Sequence, residues 1–145
     1  MQFVTHSHRF GLAIARESDF IQEWVEIEEA IQSITDEEIQ ATHEMRCSKQ
    51  KSISRAINLL LHNRLETKGW NPESAIFNDP DYLQARWRLD FAKENISIEV
   101  AFNHGEAIAW NLMKPVLSSE LNHVEKESQT RIGVVIMATE AMKKA

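Results

Sequence analysis

Between Arg86 and Asn103 the chain alternates apolar and polar positions. Trp87, Leu89 and Phe91 are separated by Arg88 and Asp90; after a polar break at Lys93-Glu94-Asn95, Ile96, Ile98, Val100 and Phe102 alternate with Ser97, Glu99 and Ala101. Successive side chains of a strand point to opposite faces, so this period of two predicts a β-hairpin turning at Glu94 and Asn95. Paired residue numbers then sum to 189, which sets Phe91 against Ile98, Leu89 against Val100 and Trp87 against Phe102 on an apolar face. The same register sets Asp90 against Glu99 on the other face, two carboxylates roughly 5 Å apart at Cβ. A slip of one residue would break the apolar face.

Elsewhere the period is helical. From a candidate N-cap at Ser18, apolar Phe20, Ile21, Trp24, Ile27, Ile31 and Ile34 recur at three and four, predicting a helix with one buried stripe and its acidic residues in water. Thr35 and Glu38 form a capping-box pattern that opens a second, more polar helix reaching Met45. Ile53, Ala56, Ile57, Leu60, Leu61 and Leu65 make a third, stopped by Gly69 with Pro72 soon after. Beyond the hairpin, Gly105 to Lys114 reads as helical and interrupted at Pro115, Val116 to Lys126 as a further helix, and Ile132 to Ala138 as a strand covered on both faces. Helices, hairpin, helix and strand predict an α/β fold.

Composition narrows the function. At 145 residues, 43% hydrophobic and 26% charged, the chain is expected to form a single domain, 1–145. Its 4 Gly and 3 Pro leave no linker and no glycine-rich phosphate loop, which excludes Walker-type and dinucleotide-binding chemistry. A lone Cys47 excludes an intramolecular disulfide and a cysteine-based zinc cluster. No apolar run is long enough for a signal peptide or a membrane span, so the expected location is the cytoplasm. A net charge of −6 argues against a protein that coats nucleic acid, yet Lys49, Lys51 and Arg55 cluster in one stretch, and distribution matters more than the sum.

Candidate chemistry centres on the hairpin. Like charges directly opposite one another destabilise a strand pair, so Asp90 and Glu99 ask for a compensating partner. A divalent cation is one, since Mg²⁺ is held by one or two acids together with substrate phosphates. The alternative is a solvated pair in which one acid meets Arg88 or Lys93. His6, His8, His104 and His123 show no zinc-binding spacing. Trp24, Trp87 and Trp110 fall on apolar periods and read as core.

The stretch Leu89-Asp90-Phe91-Ala92-Lys93 through Ile98-Glu99-Val100-Ala101-Phe102 resembles the active-site hairpin of the BglII and BstYI group of type II restriction endonucleases, in the PD-(D/E)XK nuclease superfamily. Trp24 to Ile31 is similar to that group's Trp-x-Glu-Ile-x-Glu helix, Lys68-Gly69-Trp70 to the end of the helix before the site, and Arg131 to Thr139 to a following strand. The resemblance implies a restriction-endonuclease-like core, with N-terminal helices packed on a mixed sheet containing the active-site hairpin. It further implies a homodimer that cleaves double-stranded DNA, at a GATC-centred palindrome, with Mg²⁺ or Mn²⁺ as cofactor. Asp90 would ligate the metal, Glu99 would be the second acid, the Val100 carbonyl a main-chain ligand, and Glu73 an additional active-site residue. Ser48, Lys49 and Lys51, and Asn103 and His104 after the second strand, would approach DNA. The literal Pro80-Asp81 dipeptide reads instead as part of a turn.

Ala101 departs from the pattern. The group carries Gln at this place and the superfamily commonly Lys, whose side chain positions water or stabilises charge on phosphorus. Three readings follow: a degenerate nuclease that keeps only DNA binding or dimerisation, an engineered inactive variant, or transfer of the function to Lys93 or Lys114. The restriction enzymes it resembles also continue beyond the strand near Thr139, which makes this chain either C-terminally truncated or a minimal relative.

Overall fold

The computed structural model describes residues 1–49, 51–79, 81, 87–102, 108–120, 125–140 and 142. Among them run α1 (Gly11–Ala15), α2 (Ile21–Gln32), α3 (Asp36–Arg46), α4 (Ser54–Thr67), β1 (Asn71–Ala75), β2 (Arg88–Lys93), β3 (Ile96–Ala101), α5 (Ile108–Ser119) and β4 (Ile132–Met137). They form two compact units, Met1–Gly69 and Trp70–Ala145.

In the first unit, α2 buries Trp24, Ile27, Ala30 and Ile31. It begins at Ile21 rather than after a Ser18 cap: a preceding turn already directs the N–H groups of Phe20 and Ile21 to the Glu17 carbonyl, at 3.0 and 2.9 Å. The buried stripe is wider than the apolar period predicts and takes in Glu23 and Glu26, the latter accepting from Gln22 at 3.2 Å. The capping box of α3 forms in both directions, Glu38 N–H to Thr35 Oγ1 at 3.2 Å and Thr35 N–H to Glu38 Oε2 at 3.1 Å. Only Ile39 of α3 is buried, and Arg64 of α4 ties the helix down through Glu38 at 2.5 Å. Helix α4 buries Ala56, Ile57, Leu60, Leu61 and Leu65 and stops at Gly69, whose φ of 82° suits glycine.

The second unit is a four-stranded mixed sheet in the order β1-β2-β3-β4. Strands β1, β2 and β3 pair antiparallel in turn, and β4 joins β3 in parallel. The predicted hairpin forms in the predicted register, with Phe91 against Ile98, Ala92 against Ser97 and Lys93 against Ile96, around a turn in which Glu94 takes a φ of 44°. Strands β2 and β3 end at Arg88 and Ala101, so Trp87 and Phe102 lie outside the ladder. Trp87 instead meets Phe77 and Trp110 edge-on, with ring centroids 5.7 and 5.2 Å away.

Two expectations downstream change. Helix α5 is one helix running through Pro115, not two segments divided there, and Lys126 belongs to an isolated bridge with Phe77. The proline is accommodated because β4 offers Gly133 beneath it: a Cβ at that position would lie 2.4 Å from Pro115 Cβ. Strand β4 is half-buried, not covered on both faces, because it is the last strand in the sheet order and Met137 is exposed.

Candidate active site

The hairpin changes character along its length. Toward the turn its ladder is regular; beyond Phe91 and Ile98 two carboxylates bridge the strands to one another's backbone. Asp90 Oδ2 accepts the Val100 N–H at 2.7 Å, and the Asp90 N–H donates to Glu99 Oε1 at 3.3 Å. Each acid thus spends one oxygen on the backbone of the other's strand. Among the described residues no hydrogen bond engages Asp90 Oδ1, and Glu99 Oε2 is buried without an aligned hydrogen bond.

Helix α5 closes over Glu99. Lys114 Nζ lies 2.5 Å from Glu99 Oε2 and donates to the Arg88 carbonyl at 2.9 Å, with both charged side chains nearly inaccessible, at 8% and 1%. One turn later Ser118 anchors the same helix face: its hydroxyl donates to the Ser128 carbonyl at 2.6 Å and accepts from Thr130, which also reaches Ser97 of β3 at 3.3 Å. Burial, then repulsion from Asp90, pushes the Glu99 carboxyl up to about 7, while Lys114 and the Asp90 N–H pull the other way. The solvated alternative for this pair is therefore wrong, because Glu99 is wholly buried.

Two acids that each keep one oxygen off the backbone, with the Val100 carbonyl on the same strand end, are a donor set of the kind that fits a hard divalent cation, and the Glu99 oxygen of that set is buried against Lys114. Glu73 stands level with Asp90 in the register of β1, since Pro72 pairs with Phe91 and Ser74 with Leu89. It is exposed with a φ of 49°, and its carbonyl accepts from Arg88 at 2.7 Å. Among the described residues no three His, Cys, Asp or Glu side chains gather as a metal site, so Glu73 does not complete a trio with Asp90 and Glu99.

The family model described as restriction endonuclease BglII/BglIII matches residues 3–145. The chain belongs to this family. BglII/BglIII-type restriction endonucleases are hydrolases of DNA, and the α/β architecture with its mixed sheet accords with membership. Comparison with curated proteins and with solved structures yields no match. Against the family's hairpin, Ala101 is buried beside Glu99 on the same face of β3 and offers only a methyl group. Of the two lysines considered as substitutes, Lys114 meets Glu99, whereas Lys93 lies three positions from Asp90 and so on the opposite face of β2.

The remaining expected residues are dispersed. Ser48 and Lys49 line a cavity of about 220 Å³ in the first unit with Arg46 and Arg55, and Lys51 is exposed nearby in sequence. Asn103 and His104 lie outside the described residues, as does Pro80; Asp81 is exposed and its N–H bonds the Asp79 carboxylate at 2.9 Å, a turn contact. Among the described residues no helix is long and apolar enough to cross a membrane. Sequence reasoning missed the anchoring seam of Ser97, Ser118 and Thr130. The spacing of Lys114 and Ser118 at i and i+4 was its available signal.

Proposed function

We propose that this family member is a Mg²⁺-dependent endonuclease, acting in the cytoplasm as a homodimer on a palindromic duplex site centred on GATC. The observation that carries this reading is the pair Asp90 and Glu99, each fixed by one oxygen to the opposite strand and each leaving the other oxygen free of the backbone. Asp90 Oδ1, the Glu99 Oε2 that Lys114 also meets, and the Val100 carbonyl would hold the cation, with Mn²⁺ as a substitute; when bound it supplies Lewis-acid charge at the scissile phosphate. The chain's own part is to keep both carboxylates at fixed positions before DNA arrives, so that little reorganisation remains for the reaction. Both compact units belong to one nuclease domain in this reading, which accords with a family match spanning 3–145. The basic cavity of Arg46, Lys49 and Arg55 contacts phosphates, with Ser48 and Lys51 beside it. Asn103 and His104 add further DNA contacts, and Glu73 acts at the edge of the active site, level with Asp90.

Supercoiled plasmid carrying GATC-centred sites, incubated with Mg²⁺, Mn²⁺ or EDTA, tests the reading. Discrete fragments with either metal, none with EDTA, and a loss of at least about 1,000-fold in Asp90→Ala are expected. Undiminished cutting by Asp90→Ala overturns it.

The buried methyl of Ala101 favours a second reading, a DNA-binding or dimerisation module that kept the fold and lost the chemistry. Retardation of DNA without cleavage in the parent, with Ala101→Gln recovering cleavage, would establish that version.

A further inference from the structure

The molecule keeps a cation where burial is costly. Lys114 is 7% exposed, and a buried ammonium is tolerated only when paired and hydrogen-bonded. Its position is built by nonlocal features: Gly133 lets Pro115 approach β4 closely, Ser118 and Thr130 fasten α5 to the sheet, and the Arg88 carbonyl holds one ammonium proton. Glu99 Oε2 takes a second contact, and among the described residues the third N–H has no partner. A positively charged donor is therefore fixed against the buried Oε2 of the second acid, on the face of β3 where Ala101 carries nothing polar.

We propose that Lys114, delivered from α5, takes the catalytic place that Ala101 leaves empty, donating to a non-bridging oxygen of the scissile phosphate. This rests on the endonuclease reading above. In the step, a water oxygen forms a bond to phosphorus and the bond from phosphorus to the 3′ oxygen breaks, its electron pair leaving with that oxygen. The attacking water loses a proton to solvent and the 3′ oxygen takes one from solvent, giving a 5′-phosphate and a 3′-hydroxyl. Lys114 keeps its protons throughout and stabilises the charge that develops on the phosphoryl oxygens. Arg88 is less well placed, because its guanidinium already donates to the Glu73 carbonyl at 2.7 Å.

The test uses the full chain and three forms: parent, Lys114→Met, and Lys114→Met with Ala101→Lys. Single-turnover cleavage with Mg²⁺ is read beside Mn²⁺ affinity measured by electron paramagnetic resonance. The assignment predicts that Lys114→Met cuts at least about 100-fold more slowly while holding Mn²⁺ as tightly as the parent or more so, since a repelling charge is gone. Restoring the ammonium at position 101 is expected to recover about tenfold or more of the rate. Cleavage by Lys114→Met within about threefold of the parent overturns the assignment. So does loss of Mn²⁺ binding without rescue from position 101, which would make Lys114 only a prop for Glu99. If Lys114→Met fails to fold, Lys114→Gln decides: cleavage slower by about tenfold or more at parental Mn²⁺ affinity supports the assignment, and parental cleavage overturns it. A parent that binds Mn²⁺ and cuts nothing overturns the role of Lys114 while leaving the carboxylate pair as a metal site. A parent that neither binds Mn²⁺ nor cuts overturns the endonuclease reading as well.

Discussion

The two ends of the β2–β3 hairpin are made from the same alternating pattern and behave differently. At the turn end Phe91, Ile96 and Ile98 are buried, the ladder is regular, and the Asn95 carbonyl accepts the N–H groups of Arg131 and Ile132 at 2.7 and 3.0 Å, seating the start of β4. At the open end, backbone pairing gives way to carboxylate bridges, and a buried Glu99 is balanced by a lysine from α5. The first end is stabilised by apolar burial; the second spends stability on charge that a soluble hairpin does not require.

That contrast can be broken from either side. The largest effect is expected for Glu99→Ala, which removes one acid and leaves Lys114 buried without its partner: cleavage should fall by about 1,000-fold or more. The fold should lose about 3 kcal/mol, read by urea unfolding. At the other end, Ile98→Ala should cost about 2–5 kcal/mol in the same unfolding assay. Its cleavage rate per folded molecule should stay within a few-fold of the parent; a loss as large as that of Glu99→Ala would erase the division between the two ends.

A third effect is pH-dependent. Because Glu99 is pushed up to about 7 in the folded chain against an ordinary 4.5, the folded state binds more protons than the unfolded state between those values. Stability from this group is full below about 4.5 and falls as pH rises toward and past 7, by on the order of 3 kcal/mol without metal. Denaturation midpoints of metal-free protein between pH 5 and 8 should therefore decline, and Glu99→Gln should flatten that decline. Smaller again is Gly133→Ala, whose methyl meets Pro115 and should cost about 1–3 kcal/mol while slowing cleavage through displacement of α5. Unfolding and single-turnover assays on that variant sharpen the comparison by moving the helix that covers the open end.

The hairpin was legible because two local signals agreed: alternation specified which side chains share a face, and Glu94-Asn95 placed the turn, so Phe91 against Ile98 followed directly. Asp90 and Glu99 became neighbours by the same count. Strand β1 was not legible, since Asn-Pro-Glu-Ser-Ala has no apolar alternation and is held as an edge by its neighbour β2. Pro115 read as a break because the space that tolerates it comes from Gly133, a residue distant in sequence. The ion pair of Lys114 with Glu99 had the same obstacle: alternation sets Lys93 on the face opposite Asp90, but what brings Lys114 to Glu99 is the packing of α5 through Ser118 onto Thr130 and Ser97, which are distant in sequence. The buried Glu23 and Glu26 of α2 likewise depend on packing that a helical period does not encode.

The most direct test of the central claim, that Asp90 and Glu99 together hold a divalent cation at the open end of the hairpin, is a Mn²⁺ titration of the parent and Asp90→Asn followed by electron paramagnetic resonance. The account predicts a Mn²⁺ site in the parent that is lost in Asp90→Asn although the variant folds. Equal Mn²⁺ binding by the two proteins would contradict it.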